Sequence, residues 1–151
     1  MPRVLDSVAL EGKEIVKIIA GRGRSGALTS GGELFIWGHR ASHVPTLLSP
    51  KLIGGRKITT AAFGGDIMGN SCNALVTEDG LLWTFGDVGS FMLGRNIALG
   101  QTGLSRQPEP MVVEGGGLKG RRVREVFMGS GQHAIATVES GTDQDLSSAD
   151  L

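Results

Sequence analysis

Gly21-Arg-Gly-Arg-Ser-Gly-Ala-Leu-Thr29-Ser-Gly-Gly32-Glu-Leu34-Phe-Ile-Trp37-Gly38 lies without a gap over Gly69-Asn-Ser-Cys-Asn-Ala-Leu-Val-Thr77-Glu-Asp-Gly80-Leu-Leu82-Trp-Thr-Phe85-Gly86. Six positions coincide: Gly21 with Gly69, Thr29 with Thr77, Gly32 with Gly80, Leu34 with Leu82, the aromatic Trp37 with Phe85, and Gly38 with Gly86. Each pair is 48 residues apart, as from Gly21 to Gly69. A third, shorter copy runs from Val123 to Thr137 and carries Gly129 and His133. Its opening matches Ile15-Val-Lys-Ile-Ile-Ala-Gly21 and Ile58-Thr-Thr-Ala-Ala-Phe-Gly64, and the second copy has a five-residue insertion between Gly64 and Gly69. Fixed-period self-similarity of this kind marks a repeat architecture.

Each copy reads as short strands joined by tight turns. Ile15 to Ala20 is apolar and β-branched, Ala27 to Thr29 forms a second strand, and Glu33 to Trp37 a third. The Thr-Ser-Gly-Gly and Thr-Glu-Asp-Gly segments between them supply the positive φ that a hairpin turn needs. A fourth, edge strand is expected at the Pro-led segments Pro50–Ile53 and Pro110–Val113, with a remnant at Pro2–Leu5. Leu34-Phe35-Ile36-Trp37 and Leu81-Leu82-Trp83-Thr84-Phe85 place large residues at both parities, which suits sheets covered on both faces, as in stacked propeller blades. No segment keeps a 3.6-residue apolar period with caps, so few or no helices are expected. The predicted fold class is all-β: a partial β-propeller of antiparallel blades.

Composition narrows the function. Gly accounts for 25 of 151 residues, about 17% against roughly 7% on average, and sits between apolar runs as turn residues do. Fifteen Lys and Arg balance fifteen Asp and Glu, which argues against binding nucleic acid through the whole surface. One cysteine excludes a disulfide framework or a Cys-based zinc cluster within the chain. No apolar run reaches the ~18 residues of a membrane span. Asp6 and Glu11 come too early for a signal peptide, and no Asn-x-Ser/Thr acceptor occurs, so a reducing compartment, cytoplasmic or nuclear, is expected.

These residues resemble the regulator-of-chromosome-condensation repeat family, whose signature runs Gly-x-x-His-Ser/Thr-x-Ala-Leu-Thr-x-x-Gly-x-Leu-x-x-Trp-Gly. The first copy matches at Gly21, Ser25, Ala27, Leu28, Thr29, Gly32, Leu34, Trp37 and Gly38. The second matches at Gly69, Thr77, Gly80, Leu82, Phe85 and Gly86, with Leu93-Gly94 in the following loop. The third gives Gly129, His133 and Thr137, one residue out of step. The signature His is Arg24 in the first copy and Cys72 in the second. A kelch-type array fits less well, because it wants spaced Tyr and Trp and the chain has no Tyr.

The resemblance divides the chain into repeats over 1–138 (about 2–53, 54–113 and a partial 114–138), with 139–151 an acidic, Ser-rich tail of disordered composition. Family members usually close about seven blades, roughly 340 residues at ~48 per repeat. Three accounts stay open: a truncated product without independent activity, a protomer completing a ring with other chains, and a degenerate short array. The resemblance implies a non-enzymatic protein-interaction module. It extends to part of a guanine-nucleotide exchange factor or regulator of a small GTPase, while other members regulate ubiquitin ligases, cilia or trafficking. The expected partner is a protein, with a small GTPase the family's best-known one. Neither nucleic acid through this segment nor a membrane is expected, and open blade edges allow self-association.

The chemistry-bearing motifs are few. Gly21-Arg-Gly23-Arg-Ser-Gly26 spells G-x-G-x-x-G after an apolar strand, the basis of a remote dinucleotide-binding oxidoreductase alternative. Ala27-Leu-Thr-Ser-Gly-Gly cannot start the helix that this needs, and no acid for a ribose follows near His39 and His43. No catalytic, metal or cofactor-binding residue is assigned. His39 and His43 read as loop residues, His133 as a fold residue bridging turns, and Cys72 as a buried small residue. Partner-contact candidates are the basic residues Arg22, Arg24, Arg121, Arg122 and Arg124, and the loop residues Phe91 and Met92. The structural signature residues are Gly21, Thr29, Gly32, Trp37, Gly38, Gly69, Thr77, Gly80, Phe85, Gly86, Gly129, His133 and Thr137.

Overall fold

The computed structural model describes residues 8–21, 23–38, 41–65, 71–86, 107–114, 116–129 and 134–140. Three antiparallel sheets follow one another along the chain. The first contains β1 (Ile15–Gly21), β2 (Arg24–Thr29), β3 (Leu34–Gly38) and β4 (Thr46–Leu47), in that spatial order. The second repeats the plan with β5 (Ile58–Gly65), β6 (Ser71–Thr77), β7 (Leu82–Gly86) and β8 (Gln107–Val112). The third pairs β9 (Val123–Met128) with β10 (Ala134–Val138). Among the described residues there is no α-helix, only short 3-10 turns. Up-and-down sheets laid face to face with their first strands adjacent are the blades of a β-propeller.

The register shows why the copies superimpose. In both complete sheets the pairing slips at the same place: Ile15 pairs with Thr29 and then Lys17 with Leu28, as Ile58 pairs with Thr77 and then Thr60 with Val76. The extra residue is a β-bulge, and it bends each first strand alike. The third sheet slips there too, Val123 pairing with Val138 and Glu125 with Thr137. Val138 therefore stands where Thr29 and Thr77 stand. This corrects the expectation for Thr137, which is exposed and pairs one step earlier, whereas Thr29 and Thr77 are buried. The spacing of the first strands, Ile15 to Ile58, is shorter than the spacing of the hairpins that follow. The difference falls in the β5–β6 connection, at the five-residue insertion.

Two apolar layers hold the stack. Between the first and second sheets lie Ile19, Leu28, Leu34, Phe63, Leu75 and Trp83. Between the second and third lie Ala62, Ala74, Val76, Val123 and Val126. Every residue of β6 is buried, because that strand has a sheet on either side. At each joint a turn of one sheet reaches the next: Ile58 donates its N–H to the Gly32 carbonyl (3.0 Å), and Val123 donates to Gly80 (2.9 Å).

The Pro-led strand requires correction in the first copy. Pro50–Ile53 is a 3-10 turn with Pro at its start and Gly54 at its end in the left-handed conformation, and the fourth strand is Thr46–Leu47 upstream. Proline lacks the N–H of a ladder but suits the first helical position, and buried Ile53 pins the turn to the core. In the second copy the fourth strand, β8, does run through Pro110 at the sheet edge. Pro2–Leu5 lies outside the described residues.

Candidate functional site

The strands alternate direction, so the turns gather at two rims. One rim carries the β2–β3 and β6–β7 hairpin turns and the 3-10 turns that lead into β1, β5 and β9. The lead-in is built alike in all three sheets: Lys13 donates its N–H to Leu10 (3.1 Å), Arg56 to Ile53 (3.4 Å) and Arg121 to Leu118 (3.0 Å). A cation thus stands at the same point in every copy. Lys13 lies 5.8 Å from the ring centre of Phe35, and Arg56 lies 5.7 Å from that of Trp83, both within cation–π range. Sequence comparison at a single period hides this equivalence, because the cations follow the shorter first-strand spacing and the aromatics the longer hairpin spacing.

Around Arg56 the second sheet carries a continuous polar chain. Trp83 Nε1 donates to Thr77 Oγ1 (3.1 Å), Thr77 Oγ1 donates to Asp79 Oδ1 (2.6 Å), and Arg56 Nε donates to Asp79 Oδ2 (2.6 Å). Desolvation pulls the Asp79 carboxyl upward, but the Thr77 hydroxyl and then Arg56 outweigh it and hold it below its ordinary range. In the first sheet Lys13 pairs with Glu33 (2.7 Å), and the Glu33 N–H donates to Thr29 Oγ1 (3.1 Å). The signature threonines thus brace hairpin turns.

The basic cluster of the third copy divides by role. Arg122 reaches back across the joint, donating to the Asp79 carbonyl (2.9 Å) and the Glu78 carbonyl (2.8 Å) of the second sheet. It also stands 3.7 Å from Glu139, whose carboxylate pairs with Arg124 at 3.5 Å. Arg122 is a clamp between sheets. Arg121 and Arg124 are exposed at this rim. Arg24 begins β2 opposite Gly21 and Gly38, at the other rim, so the structure does not bring it together with Arg121 and Arg124. Arg22, Phe91 and Met92, like Gly69, His39 and His133, lie outside the described residues.

The G-x-G-x-x-G segment is a hairpin. Gly21 closes β1, Gly26 lies inside β2, and strand rather than helix follows. A Cβ on Gly26 would sit 2.7 Å from the Phe63 ring of the second sheet, so this glycine makes room for a neighbouring blade rather than for a pyrophosphate. That observation overturns the dinucleotide alternative. Cys72 is buried in β6, and desolvation pushes its thiol up to about 12, the mark of an inert core thiol rather than a nucleophile. His43 is exposed, and among the described residues no group of three His, Cys, Asp or Glu could hold a metal.

The first strands also carry a polar ladder that sequence comparison did not single out. Lys17 Nζ donates to Thr60 Oγ1 (2.6 Å), and Thr60 Oγ1 donates to Glu125 Oε2 (3.1 Å). Lys17 stands 3.5 Å from Glu125. The three residues hold equivalent places in β1, β5 and β9, one step beyond each bulge. Beside them is a shallow groove of about 250 Å³ between the first strands, bordered by Ala20, Phe63 and Phe127. No α-helix among the described residues is long and apolar enough to cross a membrane.

Comparison with known proteins agrees with this architecture. No family model matches the chain. It is 32% identical over 149 residues to the human E3 ubiquitin-protein ligase HERC2, a match covering 93% of the chain and 3% of that protein. It is 34% identical over 97 residues to the mitochondrial RCC1 domain-containing protein RUG3 of Arabidopsis thaliana, covering 57% of the chain and 20% of RUG3. The chain thus spans only a small part of these relatives. Among solved structures, Prp20p of Saccharomyces cerevisiae, described with its binding properties to Gsp1p and histones, superimposes with a TM-score of 0.67 at 16% identity over 89% of the chain and 33% of Prp20p. Repeated hairpins, bulges in register, glycine joints and these relatives place the chain in the regulator-of-chromosome-condensation repeat family.

Proposed function

We propose that this chain is a protein-interaction module: a run of propeller blades whose rims, rather than sheet faces, meet a macromolecular partner. The observation that carries the proposal is the division of labour among its side chains. Sheet faces at both internal joints are packed apolar layers, Arg122 and Asp79 tie blade to blade, and Arg121 and Arg124 are left exposed on a rim. Rim and loop positions on a rigid scaffold are where propellers vary their specificity. Arg24 at the opposite rim is a second proposed contact, and Arg22, Phe91 and Met92 are further ones on sequence grounds.

The finer proposal is a share in regulating a small GTPase. Its support is the likeness in fold to Prp20p, whose structure is described with binding to Gsp1p and histones. The chain contributes binding surface and no covalent chemistry of its own on this reading; the ligase activity in the name of HERC2 belongs to that protein, of which the chain spans 3%. A cytoplasmic or nuclear setting fits partners of this kind.

Purified chain immobilised on a sensor surface, with a Ran-type GTPase and a histone octamer as probes, tests the proposal. We expect saturable binding of at least one probe, weakened about tenfold or more by Arg121→Glu with Arg124→Glu. Absence of binding by both probes, or equal binding by the double variant, overturns the rim as the contact surface. Release of a fluorescent guanine nucleotide from the bound GTPase then separates exchange from simple docking.

A further inference from the structure

One backbone contact recurs in all three sheets. The residue after β2, β6 and β10 donates its N–H back to the residue just before the first strand: Ser30 to Glu14 (2.9 Å), Glu78 to Lys57 (2.9 Å) and Glu139 to Arg122 (2.8 Å). The register makes the surrounding places equivalent too. Where the third sheet has Arg122 and Arg124, the first has Glu14 and Val16, and the second has Lys57 and Thr59. The blade fixes the backbone contact but does not require an arginine pair, so the pair in the third sheet needs another explanation.

These two arginines converge on one carboxylate. Glu139 Oε1 stands 3.7 Å from Arg122 Nε and 3.5 Å from Arg124 Nε. Arg122 is held in place by its bonds to the Glu78 and Asp79 carbonyls of the second sheet, while the Arg124 side chain is 69% exposed. One braced guanidinium beside a second that is open to water forms a fork suited to a carboxylate. Glu139 fills it loosely. A charge-assisted bond closes to ~2.7–2.9 Å, and at this same rim Arg56 reaches 2.6 Å from Asp79 and Lys13 reaches 2.7 Å from Glu33. Ion pairs as long and as hydrated as those of Glu139 add little to stability. The main chain of Glu139 stays anchored through its N–H, so the carboxylate can swing away without disturbing β10.

We propose that Glu139 is a competitor built into the rim: its carboxylate occupies the Arg122–Arg124 fork in the unbound chain, and a carboxylate of an acidic protein segment takes its place on binding. Around the fork, the segment Lys119–Arg124 carries four cations, Lys119, Arg121, Arg122 and Arg124, and no acid. That density of charge matches a run of carboxylates better than a single one. The proposal rests on this rim being a contact surface, and it adds the partner's chemistry and an internal restraint on its affinity.

Fluorescence anisotropy of a labelled oligoglutamate peptide, titrated with the full chain at low ionic strength, tests it. Glu139→Gln should bind the peptide about three- to fivefold more tightly than the wild type, the range that an exposed ion pair allows. Glu11→Gln makes the same change of net charge at an exposed acid of the first sheet, and it should move the affinity far less. Adding Arg124→Gln to Glu139→Gln should cancel the gain, because one side of the fork is then missing. The melting temperature of Glu139→Gln should match the wild type; a large drop would make Glu139 a structural tie and overturn the proposal. A Glu139→Gln affinity no higher than wild type, or a gain equalled by Glu11→Gln, overturns it as well, and leaves the rim itself standing. Failure of both wild type and Glu139→Gln to bind the peptide also overturns it, while the GTPase and histone probes still decide the rim separately.

Discussion

Gly32 lies so close to the next blade that a methyl group placed on it would come within 2.6 Å of the Lys57 Cβ. Its φ of +80° is disfavoured for any residue with a side chain, and Gly80 repeats both features, with φ +80° and the Arg122 Cβ at 2.8 Å. The glycine that recurs between the second and third strands of the two four-stranded sheets therefore meets two demands at once: it turns a hairpin and admits the neighbouring sheet.

Replacing Gly32 or Gly80 by Ala should lower stability by about 1–2 kcal/mol for the backbone conformation and by about a further 1–3 kcal/mol for overpacking at the joint. Gly55→Ala is the control, because Gly55 shares a φ of +74° but has open space around its Cβ. Urea unfolding should show a smaller loss for Gly55→Ala than for either joint glycine, and equal losses would remove the steric part of the argument.

Phe63 fills the space left by Gly26, and its ring is buried between the first two sheets. Phe63→Ala should cost about 3–5 kcal/mol, typical of an aromatic side chain removed from a core. The double variant Phe63→Ala with Gly26→Val should recover part of that loss, since the valine enters the vacated volume. A urea midpoint for the double variant no higher than for Phe63→Ala alone would show that the two residues do not share one space.

Asp79 gives the acid limb of the stability curve a definite sign. Its folded carboxyl titrates below the unfolded one, so the stabilisation is present in full above the unfolded pKa of about 3.9. It is lost as pH falls through the lower folded value. Melting temperature should therefore be insensitive to Asp79 ionisation near neutrality and fall below about pH 4. In Asp79→Asn that part of the acid drop should shrink, because no ionising group remains at the site. The side chain is well exposed, so the change should be modest.

Cys72 should resist alkylation. With Cys72 only 2% exposed and its thiol pKa raised to about 12, labelling at pH 8 should proceed only through opening of the second sheet. Adding urea should speed it in step with unfolding, whereas rapid labelling in native buffer would contradict the packing of β6.

What could be read in the sequence was the part written in backbone-dictated residues. Thr29-Ser-Gly-Gly32 and Thr77-Glu-Asp-Gly80 announce hairpins because turn geometry narrows the choice of residue. Apolar residues at both parities in β3 and β7 announce sheets covered on both sides. The rest depended on tertiary partners. Nothing local distinguishes Arg122, which clamps Glu78 and Asp79, from Arg124, which pairs with Glu139. The displacement of Thr137 follows from a bulge and a pairing register, neither of which leaves a residue signature. Pro50 reads equally well as the start of an edge strand or of a 3-10 turn, and buried Ile53 decides between them.

The position of β6 between two sheets has a consequence for how the molecule comes apart. Apart from the Lys17–Glu125 pair, the described blades are joined in sequence order, through joints such as Ile58 with Gly32 and Val123 with Gly80, so cohesion is shared out largely pairwise, as in a stack of plates. Removing an outer plate breaks one joint; removing the middle one breaks two. Amide exchange should accordingly be slowest in Ser71–Thr77 and quicken outward toward β4 and β10, giving the chain a hierarchy of local lifetimes in place of a single all-or-none transition.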